Sequence, residues 1–203
     1  EDRRQRAVQE VAATGGTQAV LAFANSVESP WRAGMAFGVV AGSDVDGIVL
    51  PDLLDPEQKS LAQFAGGFIW GRFRSRGWQW VDDIDTSRWV PTQIGQLLSF
   101  LPFTPDTWVR STRLLGGDES AYWIRTNPNP YQAETGLEIA IDKLIAHGRP
   151  YAAIRCLYKM LHDKKRLDNS RAVLALMAAL HSPEGVQSMD ADEIVEIINA
   201  LQN

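Results

Sequence analysis

Residues 134–165, ETGLEIAIDKLIAHGRPYAAIRCLYKMLHDKK, decide the fold class. Leu137, Ile141, Leu144 and Ile145 recur at spacings of three and four, which lays an apolar stripe along one face of a helix. Gly148 fits the position just past a helix end, where the backbone needs positive φ and a residue without Cβ enters it freely. Pro150 fits the first position of the next helix, where its missing N–H would have no intrahelical acceptor. Tyr151, Ile154, Leu157, Tyr158 and Leu161 draw the second stripe. So short a connection returns the second helix antiparallel to the first.

Working outward, the same signals recur. DNSRAVLALMAALHS (168–182) opens on capping residues and carries Val173, Leu176, Met177 and Leu180 as its expected buried stripe. SMDADEIVEIINALQN (188–203) has Asp190 as expected N-cap, with Glu193 three residues on and a stripe of Ile194, Ile197, Ile198 and Leu201. Toward the N-terminus, RRQRAVQEVAATGGTQAVLAFANSV (3–27) reads as helix, Gly15-Gly16 turn, helix. Ser29-Pro30 and Asp55-Pro56 open two further helices, the second ending near Gly77. Pro91 and Pro105 open two more, and a short helix precedes Pro128 and Pro130. GIVLPDLL (47–54) has strand propensity, but Pro51 argues against a strand. An echo links the two ends. With Gly15 placed on Gly148, Ala7 matches Ala140, Val8 matches Ile141, Val11 matches Leu144, and Ala19 matches Ala152. The expectation is an all-α chain of antiparallel hairpins, stacked as a short α-solenoid or packed as an irregular bundle. It reads as one domain, 1–203, with a looser half at 1–127 and regular hairpins at 131–203.

Composition narrows the function classes. The chain has 203 residues, 45% of them apolar and 22% charged, enough for a hydrophobic core. No run of 18 apolar residues predicts a membrane span, and the charged start EDRRQRAVQEVAATGG lacks the apolar core of a signal peptide. The chain opens without methionine, so it is expected to be part of a longer protein. Cys156 is the single cysteine; it suits a reducing cytoplasm and reads as a small buried apolar residue. The net charge of −5 is uneven: from Glu184 onward there are five acidic residues and no basic one, leaving 20 acidic against 20 basic elsewhere. A non-specific polyanion binder would carry a basic excess, so charge disfavours nucleic acid.

Catalytic signatures are thin. His147, His162 and His181 each fall in the last turn of a predicted helix, where they complement free carbonyls and the helix dipole. Neither zinc-type histidine spacing nor a cysteine cluster occurs, so no metal is expected, and no cofactor motif occurs either. Asp82, Asp83 and Asp85 read as solvated turn residues. The strongest candidate is GGFIWGRFRSRGWQWVDD (66–83), with Trp70, Arg72, Arg74, Arg76, Trp78 and Trp80. Trp31 with Arg32, and Trp108 with Arg110, repeat its composition. Arginine over tryptophan gives cation–π contacts of about 0.5–2 kcal/mol, and such a lane fits a protein partner or a nucleobase. The bland alternative is a tryptophan-rich seam whose arginines pair with Asp82, Asp83 or Asp85.

LEIAIDKLIAHGRPYAAIRCLYKMLHDKK (137–165) resembles the helical hairpins of the tetratricopeptide and HEAT-like repeat families. The resemblance covers the last third of the chain well and the first third loosely; the full tetratricopeptide signature, with its Trp, Leu-Gly and Tyr positions, is not met. The whole chain is also similar to helical regions at the ends of large multidomain bacterial proteins. That likeness implies a sensor or partner-binding arm beside an effector or nucleotide-hydrolysing domain. With the free thiol and the thin catalytic signatures, the expectation is a cytoplasmic, non-catalytic module that binds a protein partner or another domain of its parent chain. A nucleic-acid-binding domain and a helical enzyme are the rival readings.

Overall fold

The structure, a computed structural model, describes residues 2–54, 59–183 and 188–202. Among the described residues there are eleven α-helices and no strand. The chain clusters into two compact units, Glu1–Leu101 and Pro102–Asn203.

The first unit is built on α1 (Asp2–Ser26), α2 (Pro30–Val40), α3 (Asp46–Val49), α4 (Lys59–Asp83) and α5 (Pro91–Ser99). α1 bends at its glycine pair, and the left-handed residue is Gly16 (φ 64), not Gly15. The echo with Gly148 is therefore displaced by one residue. Ser29 does take the N-cap position of α2, with Pro30 behind it, but its hydroxyl makes no capping bond. The expected opening of α4 at Asp55 and Pro56 lies outside the described residues. Pro51, which argued against a strand, sits between α3 and a 3-10 turn at Asp52–Leu54. Gly77 (φ 65) interrupts α4 where the sequence placed a helix end, and a further helical segment carries Trp78 and Trp80.

The main contact of this unit is α2 against α4. Gly34 and Gly38 on α2 face Gly67 and Gly71 on α4, both pairs at a spacing of four. A Cβ on Gly34 would lie 1.9 Å from the Phe64 carbonyl oxygen, and one on Gly67 would lie 2.0 Å from that of Trp31. A Cβ on Gly38 would lie 2.3 Å from the Phe68 carbonyl oxygen, and one on Gly71 would lie 2.3 Å from that of Met35. The two backbones thus touch directly, the close approach that small residues at this spacing allow. Beside the contact, the Phe37 ring packs 6.1 Å from both Phe64 and Phe68.

The second unit contains α6 (Pro105–Leu115), α7 (Ser120–Trp123), α8 (Leu137–Ala146), α9 (Pro150–His162), α10 (Asn169–Leu180) and α11 (Ser188–Gln202). The α8–α9 hairpin closes as its sequence predicted. Gly148 (φ 72) donates its N–H to the Ile145 carbonyl at 3.1 Å, and Arg149 donates to Leu144 at 2.8 Å. These two bonds satisfy carbonyls that the helix end leaves open. α9 ends the same way, but with Lys164 (φ 58) in the left-handed position. Lys164 donates to Leu161 and Lys165 to Met160, both at 2.9 Å. α9 is the central helix of the unit, packed against α8, α10 and α11, and α8 also packs against α10. It buries Tyr151, Ile154 and Leu157 as expected, and Ala152, Ala153, Cys156 and Met160 besides. Burial pushes the Cys156 thiol up to about 12, so it is an inert core group.

Asp168 caps α10, accepting from the N–H groups of Ser170 at 2.9 Å and Arg171 at 3.3 Å. α11 begins at Ser188, so Asp190 lies inside the helix and is not its N-cap. His147 and His181 are the C-caps of α8 and α10, and His162 is the last residue of α9. No helix among the described residues is long and apolar enough to cross a membrane.

Candidate interaction surfaces

The tryptophan–arginine stretch divides into an interior part and a surface part. Arg72 is fully buried. Its Nη1 donates to the carbonyls of Gly38 at 3.0 Å and Ala41 at 2.6 Å, and its Nη2 donates to Gly42. The guanidinium therefore closes the C-terminal end of α2, whose carbonyls have no partner within the helix. Its Nε donates to Asp46 Oδ1 at 2.8 Å, and the other Asp46 oxygen accepts from Trp80 Nε1, also at 2.8 Å. Burial lowers the Arg72 pKa, and the hydrogen bond and charge of Asp46 oppose that shift. The arginine partner is Asp46, twenty-six residues upstream, instead of the expected Asp82, Asp83 or Asp85. The expected arginine–tryptophan stacking is also replaced at this site: Arg72 lies over the Phe68 ring, 4.8 Å from its centroid.

Trp80 and Trp108 join Arg72 in the interior, at 6% and 3% exposure. Trp108 belongs to the second unit, where it packs against Phe103 at 5.0 Å and Trp123 at 6.2 Å. These three candidates are core residues, because each fills a helix junction of its own unit. The surface part is smaller. Arg32, Arg74 and Arg76 are exposed, while Trp31, Trp70 and Trp78 are half-buried. Trp70, Phe73 and Trp78 form a row across the Gly77 bend, with ring centroids 5.9 and 4.7 Å apart. Trp31 packs on Phe100 at 6.0 Å. Arg110 is half-buried and donates back to the Asp106 carbonyl of its own helix at 3.0 Å.

A cavity of about 500 Å³ opens beside the Arg72–Asp46–Trp80 contact, lined by Asp46, Arg76, Trp80, Asp83, Asp85 and Trp89 among others. Its carboxylates hold structural bonds. Asp46 is taken by Arg72 and Trp80, Asp83 accepts from Gln79 Nε2 at 2.9 Å, and Asp85 accepts from the Ser87 N–H at 3.0 Å. The Ser87 side chain and backbone hold the Asp85 carboxyl below its ordinary range. Among the described residues, no group of three or more His, Cys, Asp or Glu could hold a metal ion.

The largest departure from the sequence reading lies on α10. Val173, Met177 and Leu180 were expected to be buried; they are 49%, 51% and 75% exposed, and Leu174 is 59% exposed. Leu176 is half-buried. The helix packs instead through Ala172, Ala175 and Ala179. Three alanines at spacings of three and four make a second stripe, narrow enough for α9 to approach closely. Tyr151 of α9 reaches across to donate to the Ala179 carbonyl at 3.4 Å. The large side chains then point away from the unit. α11, which touches α10 and packs on α9, seats Ile197 fully and exposes Val195 (55%) and Ile198 (39%). Asp192 and Glu196 lie on the exposed side of α11 next to Val195. From Ala172 to the end of the chain there is no lysine or arginine.

Comparison with protein-family models, with curated proteins and with solved structures returned no significant match. The residues that the sequence reading missed had faint signals. Asp46 begins the single-turn α3 with no local motif to mark it, and only the packing of α2 on α4 brings Arg72 to it. Trp89 was one tryptophan among seven. The alanine stripe of α10 was visible as spacing, but a leucine-rich stripe competed with it.

Proposed function

We propose that this chain is a non-catalytic interaction module of a larger bacterial protein. It recognises a protein partner, or another domain of its parent chain, through a helical surface. The single observation that carries this reading is the uncovered apolar stripe of α10: Val173, Leu174, Met177 and Leu180. A contiguous stripe of large apolar side chains on one helix is the composition of a buried contact, and scattered surface residues would not keep helical spacing. The packing of α8 with α10 and of α9 with α11 supports a repeat-like stack of two hairpins. In such a stack each hairpin covers the previous one, and an outer face without polar residues is one that receives a further layer. The structural engagement of the cavity carboxylates in the first unit supports the non-catalytic part of the reading. The loss of Arg72, Trp80 and Trp108 to the interior weighs against a continuous tryptophan–arginine lane for nucleic acid. A cytoplasmic setting belongs to the same proposal, supported by the lone buried thiol of Cys156.

The test is site-specific photo-crosslinking in the organism that makes the protein. A photoreactive residue at Leu174 or Met177 should yield a discrete adduct, while one at Arg74 should not. Absence of any adduct at both α10 positions overturns the reading.

A further inference from the structure

We propose that the cavity of the first unit is a binding site for a small organic cation, an amine carried on an aromatic or other apolar body. The site is separate from the α10 surface. Its walls come from two stretches of chain: residues 43–50, which include α3, and residues 76–89, which span the Gly77 bend. A volume of about 500 Å³ lies in the range of small-molecule sites. Leu50, Ile84, Trp80 and Trp89 supply its apolar and aromatic surface. Trp80 is a fixed part of that wall: Asp46 accepts from its Nε1 at 2.8 Å, and the fully buried Arg72 holds Asp46 in turn. A wall held in this way is pre-organised for a ligand. Trp89 is half-buried, so part of its indole stays open. The face of a tryptophan ring attracts a cation.

Charge gives the ligand the same sign. Asp46 is compensated by Arg72. Asp83 and Asp85 line the cavity as well, and the donors that hold them are neutral: the Gln79 amide and the Ser87 N–H. Bonds from the Ser87 side chain and backbone hold the Asp85 carboxyl below its ordinary range, and the Arg88 charge adds a smaller push the same way, so Asp85 is ionised at neutral pH. Across both walls, with Arg72 behind them, five aspartates (Asp44, Asp46, Asp82, Asp83 and Asp85) stand against three arginines (Arg72, Arg76 and Arg88). An aromatic cleft with an acidic excess favours a cation twice over, through the rings and through the field. An anion would be repelled by that excess, and a neutral molecule would leave it unanswered.

The experiment titrates the whole chain by calorimetry with three probes of one shape and different charge: 2-phenylethylamine, 2-phenylethanol and 3-phenylpropionate. The amine should bind more than about tenfold more tightly than either of the others, and added salt should weaken it. Asp83→Asn with Asp85→Asn should erase its advantage over the alcohol. Trp89→Leu should weaken the amine by about threefold or more, the effect of a lost cation–π contact, and Trp89→Phe should keep most of the binding because it keeps a ring. Arg76→Gln should tighten the amine, since it removes a like charge from the lining. Circular dichroism and thermal melting of these variants should match the parent. Equal binding of the three probes overturns the proposal, because the cavity would then be an apolar hollow without charge selection. Tighter binding of 3-phenylpropionate that Arg76→Gln abolishes also overturns it, in favour of an anion site. So does the absence of amine binding up to its solubility limit, or amine binding that survives both the double asparagine variant and Trp89→Leu and therefore lies elsewhere.

Discussion

Two helix pairs, one in each unit, approach closely by the same means and to different ends. In the first unit, Gly34 and Gly38 meet Gly67 and Gly71, so that backbone touches backbone, while Phe37, Phe64 and Phe68 close over the contact and are buried. In the second, Ala172, Ala175 and Ala179 set α10 against α9, and the large side chains of α10 are left facing outward. A small-residue contact therefore does not say where the bulky residues go. In the first pair it completes a core; in the second it frees an apolar surface. A parallel contrast holds for the arginines that close helix ends. Arg72 is fully buried and bound to three carbonyls and a carboxylate, whereas Arg149 is half-buried and donates to the Trp123 and Thr126 carbonyls at the end of α7.

The comparison can be broken most forcefully at Arg72. Arg72→Ala would strip the end of α2 of its buried donor and leave the half-buried Asp46 with only the Trp80 N–H, a loss of about 3–5 kcal/mol. Urea denaturation should show it, and Arg72→Lys should recover little, because an ammonium cannot span the same set of acceptors. Next comes the glycine contact. Gly67→Ala forces the helices apart and should cost about 1–3 kcal/mol or more, whereas Gly47→Ala, whose Cβ would meet nothing within 4 Å, should be near neutral in the same assay.

The second unit should respond with the opposite polarity along one helix. Ala175→Leu, on the packed face of α10, should cost about 1–3 kcal/mol. Leu174→Glu, on the open face, should stay within about 0.5 kcal/mol of the parent in thermal melting. If Leu174→Glu were as damaging as Ala175→Leu, the open face would be a core face and the contrast between the pairs would vanish. Lys164→Gly should raise stability by about 1 kcal/mol, since a Cβ in the left-handed region costs roughly that much. The smallest effect concerns Glu119. Burial pushes its pKa up, but hydrogen bonds from Lys143 and Thr112, with the charges of Lys143 and His147, outweigh burial and hold it below the ordinary carboxylate range. A folded pKa below the unfolded one adds stability that is complete above the unfolded carboxylate range, near ~4.3. That stability is lost as pH falls through the folded value. Glu119→Gln should flatten this acid limb of the stability profile.

The sequence by itself determined the helical class, most helix boundaries, and the α8–α9 hairpin. Those follow from local rules: period 3.6, the missing N–H of Pro150, and the absent Cβ of Gly148, none of which needs a distant residue. It also carried the acidic character of the C-terminal segment, which is a property of composition. Tertiary structure alone decided which of two stripes on α10 is buried, because alanine and leucine faces share one period and only a neighbouring helix chooses between them. The same holds for the tryptophan–arginine stretch. Its composition suited a surface lane, yet Arg72 finds its acceptors on α2 and on Asp46. A buried guanidinium must satisfy its donors wherever the fold places open carbonyls, and those carbonyls lie about thirty residues away in the chain.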